Sequence, residues 1–188
     1  MDAPNKGFVA RVRIVGRKAL VLNPEESDRL FKQFYGKPLS VSKPKVDQKY
    51  GEPLVLSLYE VLHLCRKSLV EVDIGGRIVD CETLNKYCEK TSHNFSIKYR
   101  VYEYLRDRNY VIKGGIKYGA DFAVYTLGPG YEHAPYVVVV ASKDHKLRPA
   151  DFVALGRVSH SVRKHTVLAV VDEDKGDIRY IIFKWVKL

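Results

Sequence analysis

No apolar run in this 188-residue sequence approaches the roughly 20 residues that span a bilayer. Met1-Asp2-Ala3-Pro4 opens neither a signal peptide nor a transit peptide, so the expected location is the cytoplasm. Cysteine is scarce: Cys65, Cys81 and Cys88 are an odd number with no CxxC spacing. A structural zinc site asks for four well-spaced ligands, which these three do not supply. Cys65 and Cys88 fall in apolar, helix-like runs, which predicts buried thiols in a reducing compartment. Acidic residues are short relative to basic ones: 32 Lys and Arg minus 22 Asp and Glu leaves +10, with a pI near 9.4. That surplus favours polyanionic partners, because each neutralised phosphate releases counterions. Charge does not separate RNA from DNA.

With 46% hydrophobic and 29% charged residues, the chain has enough apolar material for a core, and disorder is excluded. Phe8 to Leu22 reads as two strands turning at Gly16-Arg17. Asn23-Pro24-Glu25-Glu26 starts a helix, with a side-chain cap and Pro at the first helical position; it runs to about Tyr35, where Gly36 ends it. Residues 37–53 lack periodicity and hold prolines and lysines, a long loop of the kind that is often functional. Ser57-Leu58-Tyr59-Glu60 is a capping box opening a helix to about Ser68. Two short strands joined at Gly75-Gly76 follow, then a helix capped by Asp80 to about Lys90.

A short linker at Thr91-Ser92-His93 divides an N-terminal mixed α/β domain, 1–91, from a second domain, 94–188. There Asn94 caps a helix through Asn109, strands are predicted at 110–117, 119–127 and 135–142, an amphipathic helix at 149–164, and strands at 166–172 and 177–187. The order is that of an α/β layered fold with a mixed central sheet. Val137 to Val140 are apolar without alternation, as in a strand covered on both faces.

Three stretches of the second domain carry chemistry-bearing residues. Tyr118 stands in Lys-Tyr-Gly-Ala-Asp-Phe at a strand boundary, His133 in the Gly/Pro-rich loop Gly128–Pro135, and Lys164 in Ser-Val-Arg-Lys-His at a helix end. Singly, each also fits packing, an exposed loop or a basic helix terminus. Together, in this order, they resemble the catalytic Tyr, His and Lys of archaeal tRNA-splicing endonucleases. The resemblance extends through Ser161 to Asp172 and the closing Asp-Ile-Arg-Tyr…Lys-Trp-Val-Lys, covering 94–188 closely and the first half more loosely. It implies a restriction-endonuclease-like catalytic domain and excision of introns from precursor tRNA at bulge-helix-bulge sites.

The resemblance also implies cleavage without metal or cofactor, leaving 2′,3′-cyclic phosphate and 5′-hydroxyl ends. Attack by an internal 2′-OH requires a base, an acid for the leaving oxygen and a cation for the phosphorane charge. His133 suits the acid. Tyr118 suits the base if a neighbouring cation, for which Lys164 is the candidate, favours its phenolate. Arg157 and Arg179 match family arginines that sandwich a bulged base. Arg157 lies two helical turns before Lys164, away from an Ala154/Val158/Val162 stripe; Ile181, Phe183 and Trp185 share the Arg179 face of the last strand.

The acidic turn Asp172–Asp177 resembles a loop that docks on a neighbouring subunit. The 37–53 loop resembles a lysine-bearing insertion in catalytic subunits of crenarchaeal two-gene enzymes, with Lys43, Lys45 and Lys49 as candidate RNA contacts. That implies a structural partner subunit and an α2β2 heterotetramer, with a homotetramer as alternative. Two further readings compete: a metal-dependent DNA nuclease using Asp121, Asp144 and Lys146, and a non-catalytic RNA-binding subunit.

Overall fold

The computed structural model describes residues 9–162 and 164–184, so Arg163 and Trp185 lie outside the described residues. The chain divides into two compact units, Met1–Phe95 and Ser96–Leu188.

In the first unit the Gly16-Arg17 turn joins β1 (Ala10–Val15) to β2 (Lys18–Val21). Strict alternation along β1 buries Ala10, Val12 and Ile14 and exposes Arg11, Arg13 and Val15, as a sheet with one covered face requires. Asn23 caps α1 (Pro24–Lys32) by accepting from the Glu25 and Glu26 amides. The helix is shorter than predicted, because Phe34 and Gly36 turn left-handed. Gly36 is required twice over: its φ is +63°, and a Cβ there would lie 2.7 Å from Leu54 Cγ.

The 37–53 segment is not all loop. Lys37–Pro38 forms β3 against β4 (Leu54–Ser57). Tyr50 organises the remainder: its amide donates to Asp28, its hydroxyl takes the Lys45 amide at 2.7 Å, and its ring meets Phe31 edge-on.

The Ser57/Glu60 capping box opens α2 (Leu58–Arg66) as predicted. β5 (Val70–Ile74) and β6 (Arg77–Val79) follow, then α3 (Cys81–Thr91), capped by Asp80. The sheet order is β3-β4-β2-β1-β5-β6, with β1 and β5 parallel. Leu30, Phe31, Leu62, Leu64, Leu84 and Cys88 are buried with the apolar face of β1 and β2.

One expectation is overturned. Cys65 and Cys81 form a disulfide, leaving Cys88 as the buried thiol. The β5–β6 hairpin returns the chain so that the end of α2 and the start of α3 stand 5.8 Å apart at Cα, within bridging range.

The second unit begins along α4 (Phe95–Arg106), which ends short of Asn109. Asn94 has φ +56° rather than the extended backbone of an N-cap, so the predicted cap is not formed. β7 (Val111–Gly114), β8 (Phe122–Tyr125), β9 (Tyr136–Ser142), α5 (Pro149–Val162), β10 (His165–Val171) and β11 (Ile178–Phe183) follow. The sheet order is β11-β10-β9-β8-β7, with β9 and β10 parallel and the other pairs antiparallel. This is the mixed α/β architecture expected from the sequence. Val137, Val138, Leu168 and Ala169 are buried in its centre, and Tyr102 of α4 packs against Phe122, ring centroids 6.1 Å apart.

The predicted α5 stripe is corrected at Ala154, which is exposed while Leu155 is buried; Val158 is half-buried, and the Val162 side chain lies outside the described residues. No helix among the described residues is long and apolar enough to cross a membrane.

The bridge closes a short loop of 16 residues' separation, so its loss should lower stability by about 3 kcal/mol. In urea unfolding, reductant or Cys81→Ser should lower the midpoint. Alkylation after unfolding should modify one cysteine without reductant and all three with it. A midpoint indifferent to reductant, with three thiols labelled at once, would show that the pair is not joined.

Candidate active site

Tyr118 sits in a tight turn rather than a strand. β7 stops at Gly114, and Ile116–Tyr118 form a single 3-10 turn. Two glycines bracket it for different reasons. A Cβ on Gly115 would lie 2.7 Å from the Phe122 backbone, and Gly119 takes φ +70°. The turn lies beside α5, a Cβ on Gly119 falling 3.8 Å from Val158 Cγ2.

His133 lies on the loop between β8 and β9 and is exposed. Glu132 shapes that loop. Its carboxylate accepts from the Thr126 amide and hydroxyl and, at 2.6 Å, from the Leu127 amide. These bonds, led by the Leu127 amide, hold Glu132 below the usual carboxylate range. Gly128 and Gly130 supply the left-handed turns around it.

Lys164 follows α5 and immediately precedes β10. The parallel register sets His165 opposite Tyr136, and the His165 amide donates to Pro135 O at 3.0 Å. Lys164 is thereby brought to the loop, and its Nζ donates to Ala134 O at 2.6 Å. The same ammonium is 5.3 Å from the Tyr118 ring centroid, within the range at which a cation feels an aromatic face. The structure thus gathers Tyr118, Lys164 and the backbone next to His133.

Two neighbours were not anticipated. Lys117 Nζ is 4.7 Å from the same ring centroid. Its interaction with the Tyr118 side chain holds its ammonium above the ordinary lysine value. Tyr125 of β8 is buried, and burial first, then Tyr118, pushes its hydroxyl up. Lys117 and Glu132 each adjoin a singled-out residue in sequence, but adjacency gives no sign of where their side chains turn.

Arg157 stands exposed on α5 and Arg179 exposed on β11. These elements adjoin, Phe152 and Phe183 meeting at 6.3 Å. Arg179 pairs with Val170, near the far end of β10, which sets it roughly 20 Å along the strand from Lys164. Lys43, Lys45 and Lys49 are exposed on the segment pinned by Tyr50.

The residues of the competing nuclease reading are placed otherwise. Asp121 has one oxygen on Lys98 Nζ at 2.7 Å and the other on the Val140 amide at 2.8 Å. Its carboxylate therefore fastens α4 and β9, while Asp144 and Lys146 are exposed beyond the end of β9.

Residues 95–180 match the tRNA intron endonuclease catalytic C-terminal domain, and residues 10–85 match the N-terminal domain of the same enzymes. The chain belongs to the tRNA intron endonuclease family. Relatives named tRNA-splicing endonuclease are 47% identical over 182 residues in Saccharolobus islandicus, covering 96% of this chain and 100% of the relative. In Saccharolobus solfataricus the identity is 46% over 182 residues, with the same coverage. In Sulfolobus acidocaldarius it is 43% over 176 residues, covering 93% of this chain and 97% of the relative. In this tRNA intron endonuclease family member, Tyr118, His133, Arg157, Lys164 and Arg179 all fall inside the segment matching the catalytic domain.

Glu132→Ala should free the Thr126 and Leu127 amides, speeding their hydrogen exchange roughly tenfold or more while global melting stays unchanged. Because its folded value is lowered, the grip of Glu132 is complete above the usual carboxylate range. It is lost as pH falls through that lowered value. The two amides should lose protection on acidification in the parent protein and show no such step in Glu132→Ala.

Proposed function

We propose that the chain is the catalytic subunit of an endonuclease that excises introns from precursor tRNA at bulge-helix-bulge sites, with an N-terminal domain over 1–91 and a catalytic domain over 94–188. The observation that carries this reading is the Lys164 ammonium, shared between the Tyr118 ring and the Ala134 carbonyl beside His133. Family membership supplies the substrate class, and the name tRNA-splicing endonuclease borne by the relatives supports it.

The reaction runs as an in-line transfer. The Tyr118 oxygen takes the proton of the 2′-OH at the cleavage site as that oxygen bonds to the adjacent phosphorus. His133 gives its proton to the departing 5′-oxygen, so that the P–O bond breaks to a 5′-hydroxyl and a 2′,3′-cyclic phosphate. Lys164 offsets the extra negative charge of the phosphorane between them. Both proton transfers and the compensating charge are assigned to side chains, with no cofactor.

Arg157 and Arg179 contribute by holding an unpaired base between guanidinium planes, and Lys43, Lys45 and Lys49 meet the RNA backbone. An arginine roughly 20 Å along the strand from Lys164 reaches RNA away from its own scissile phosphate. That suits RNA lying across more than one subunit. β11 is an edge strand with Ile181 and Ile182 about half exposed, a surface suited to pairing with another chain. The assembly proposed is an α2β2 heterotetramer of two such chains and two structural subunits, in the cytoplasm.

Incubation with an intron-containing precursor tRNA in EDTA should give cyclic phosphate and 5′-hydroxyl ends, with the structural subunit present. His133→Ala should slow cleavage by about 10²–10⁴-fold, and normal cleavage by that variant would overturn the role given to His133. Native mass measurement checks the assembly: the chain alone should not form a stable active tetramer, and a homotetramer that cleaves would refute the heteromeric arrangement.

A further inference from the structure

Tyr118 is flanked by two ammonium groups, and their surroundings divide their work. Lys164 lies 5.3 Å from the ring centroid and commits one of its three protons to Ala134 O at 2.6 Å. Its position is set by the loop that carries His133. Lys117 is nearer, its Nζ 4.7 Å from the centroid of the same ring. The bracketing glycines, Gly115 and Gly119, fix the turn on which both residues lie.

We propose that Lys117 is a positioning residue for catalysis: its ammonium, the nearer of the two beside the Tyr118 ring, favours negative charge on the Tyr118 oxygen and prepares it to accept the 2′-OH proton. Lys164 is left to face the phosphate. This rests on the assignment of Tyr118 as the base.

Among the described residues, the other titratable groups around the ring are Lys164 from the end of α5, Tyr125 of β8, and Glu132, which acts on Tyr125. Tyr125 is buried and Glu132 is engaged by the Thr126 and Leu127 amides. Neither can take the place of an ammonium. Lys117 itself is exposed, so its replacement should leave the fold intact, as matched melting curves would verify.

The test is the pH dependence of single-turnover cleavage of an intron-containing precursor tRNA at saturating enzyme, using the full chain with its structural subunit. Lys117→Gln should move the limb that rises with pH upward by about one unit and slow cleavage about tenfold near neutrality, since one unit is a tenfold change in the reactive form. Lys117→Arg should return the limb towards its original position. A Lys117→Gln limb that does not move overturns the proposal, even if RNA affinity falls, because an RNA contact alone would change affinity and not the profile. Tyr118→Phe separates the two levels. A loss of about a hundredfold or more with an unmoved Lys117→Gln limb refutes Lys117 alone. Normal cleavage by Tyr118→Phe refutes the base assignment and the proposal with it.

Discussion

The hydrogen bond from Lys164 Nζ to Ala134 O, 2.6 Å long, joins the end of the α5 crossover to the loop that presents His133. The distance is a product of sheet register. β9 and β10 run parallel, with His165 opposite Tyr136 and the His165 amide on Pro135 O, so the residues just before the two strands are neighbours. A slip of one residue would turn every side chain of β10 to the other face and carry Lys164 away from both Ala134 and Tyr118. The buried, apolar centre of the sheet, with Val137, Val138, Leu168 and Ala169, makes that slip costly. Packing in the core therefore fixes a polar contact at the rim.

The carboxylates near the site are spent on backbone and lysine. Glu132 is occupied by the Thr126 and Leu127 amides, and Asp121 by Lys98 and the Val140 amide. Each holds a segment in place and has its charge compensated locally. Among the described residues, what stands beside Tyr118 is positive, from Lys117 and Lys164. A site built to receive a phosphodiester gains from such prearranged charge, because the donors need not reorganise as negative charge develops.

Much of this fold was legible in the sequence because its signals are local. The Asn23, Ser57 and Asp80 caps and the Gly16-Arg17 and Gly75-Gly76 turns appear where side-chain chemistry puts them. The misplacements have non-local causes. The Cys65–Cys81 bridge depends on where the β5–β6 hairpin returns the chain, not on cysteine spacing. Asn94 resembles a cap in composition, yet its backbone is left-handed. The order of Tyr118, His133 and Lys164 marks the candidate site. Which cation touches Tyr118, and that Glu132 folds the loop, depend on side-chain directions that no spacing records. On α5, Leu155 rather than Ala154 is buried, because a helix with apolar residues on several sides offers faces of similar character.

The acidic turn after β10 is already partly satisfied within its own chain. Lys143 Nζ reaches Asp172 at 2.9 Å and also Asp174, while Arg100 donates to the Asp172 carbonyl. Lys143 holds the Asp172 carboxyl below its ordinary range. A basic surface that meets this turn must therefore compete with an ammonium covalently tethered next to it, at high effective concentration. The net attraction is the difference between two similar ion pairs, smaller than a count of the turn's acidic residues suggests. Discrimination between partners then falls to shape and apolar contact more than to charge.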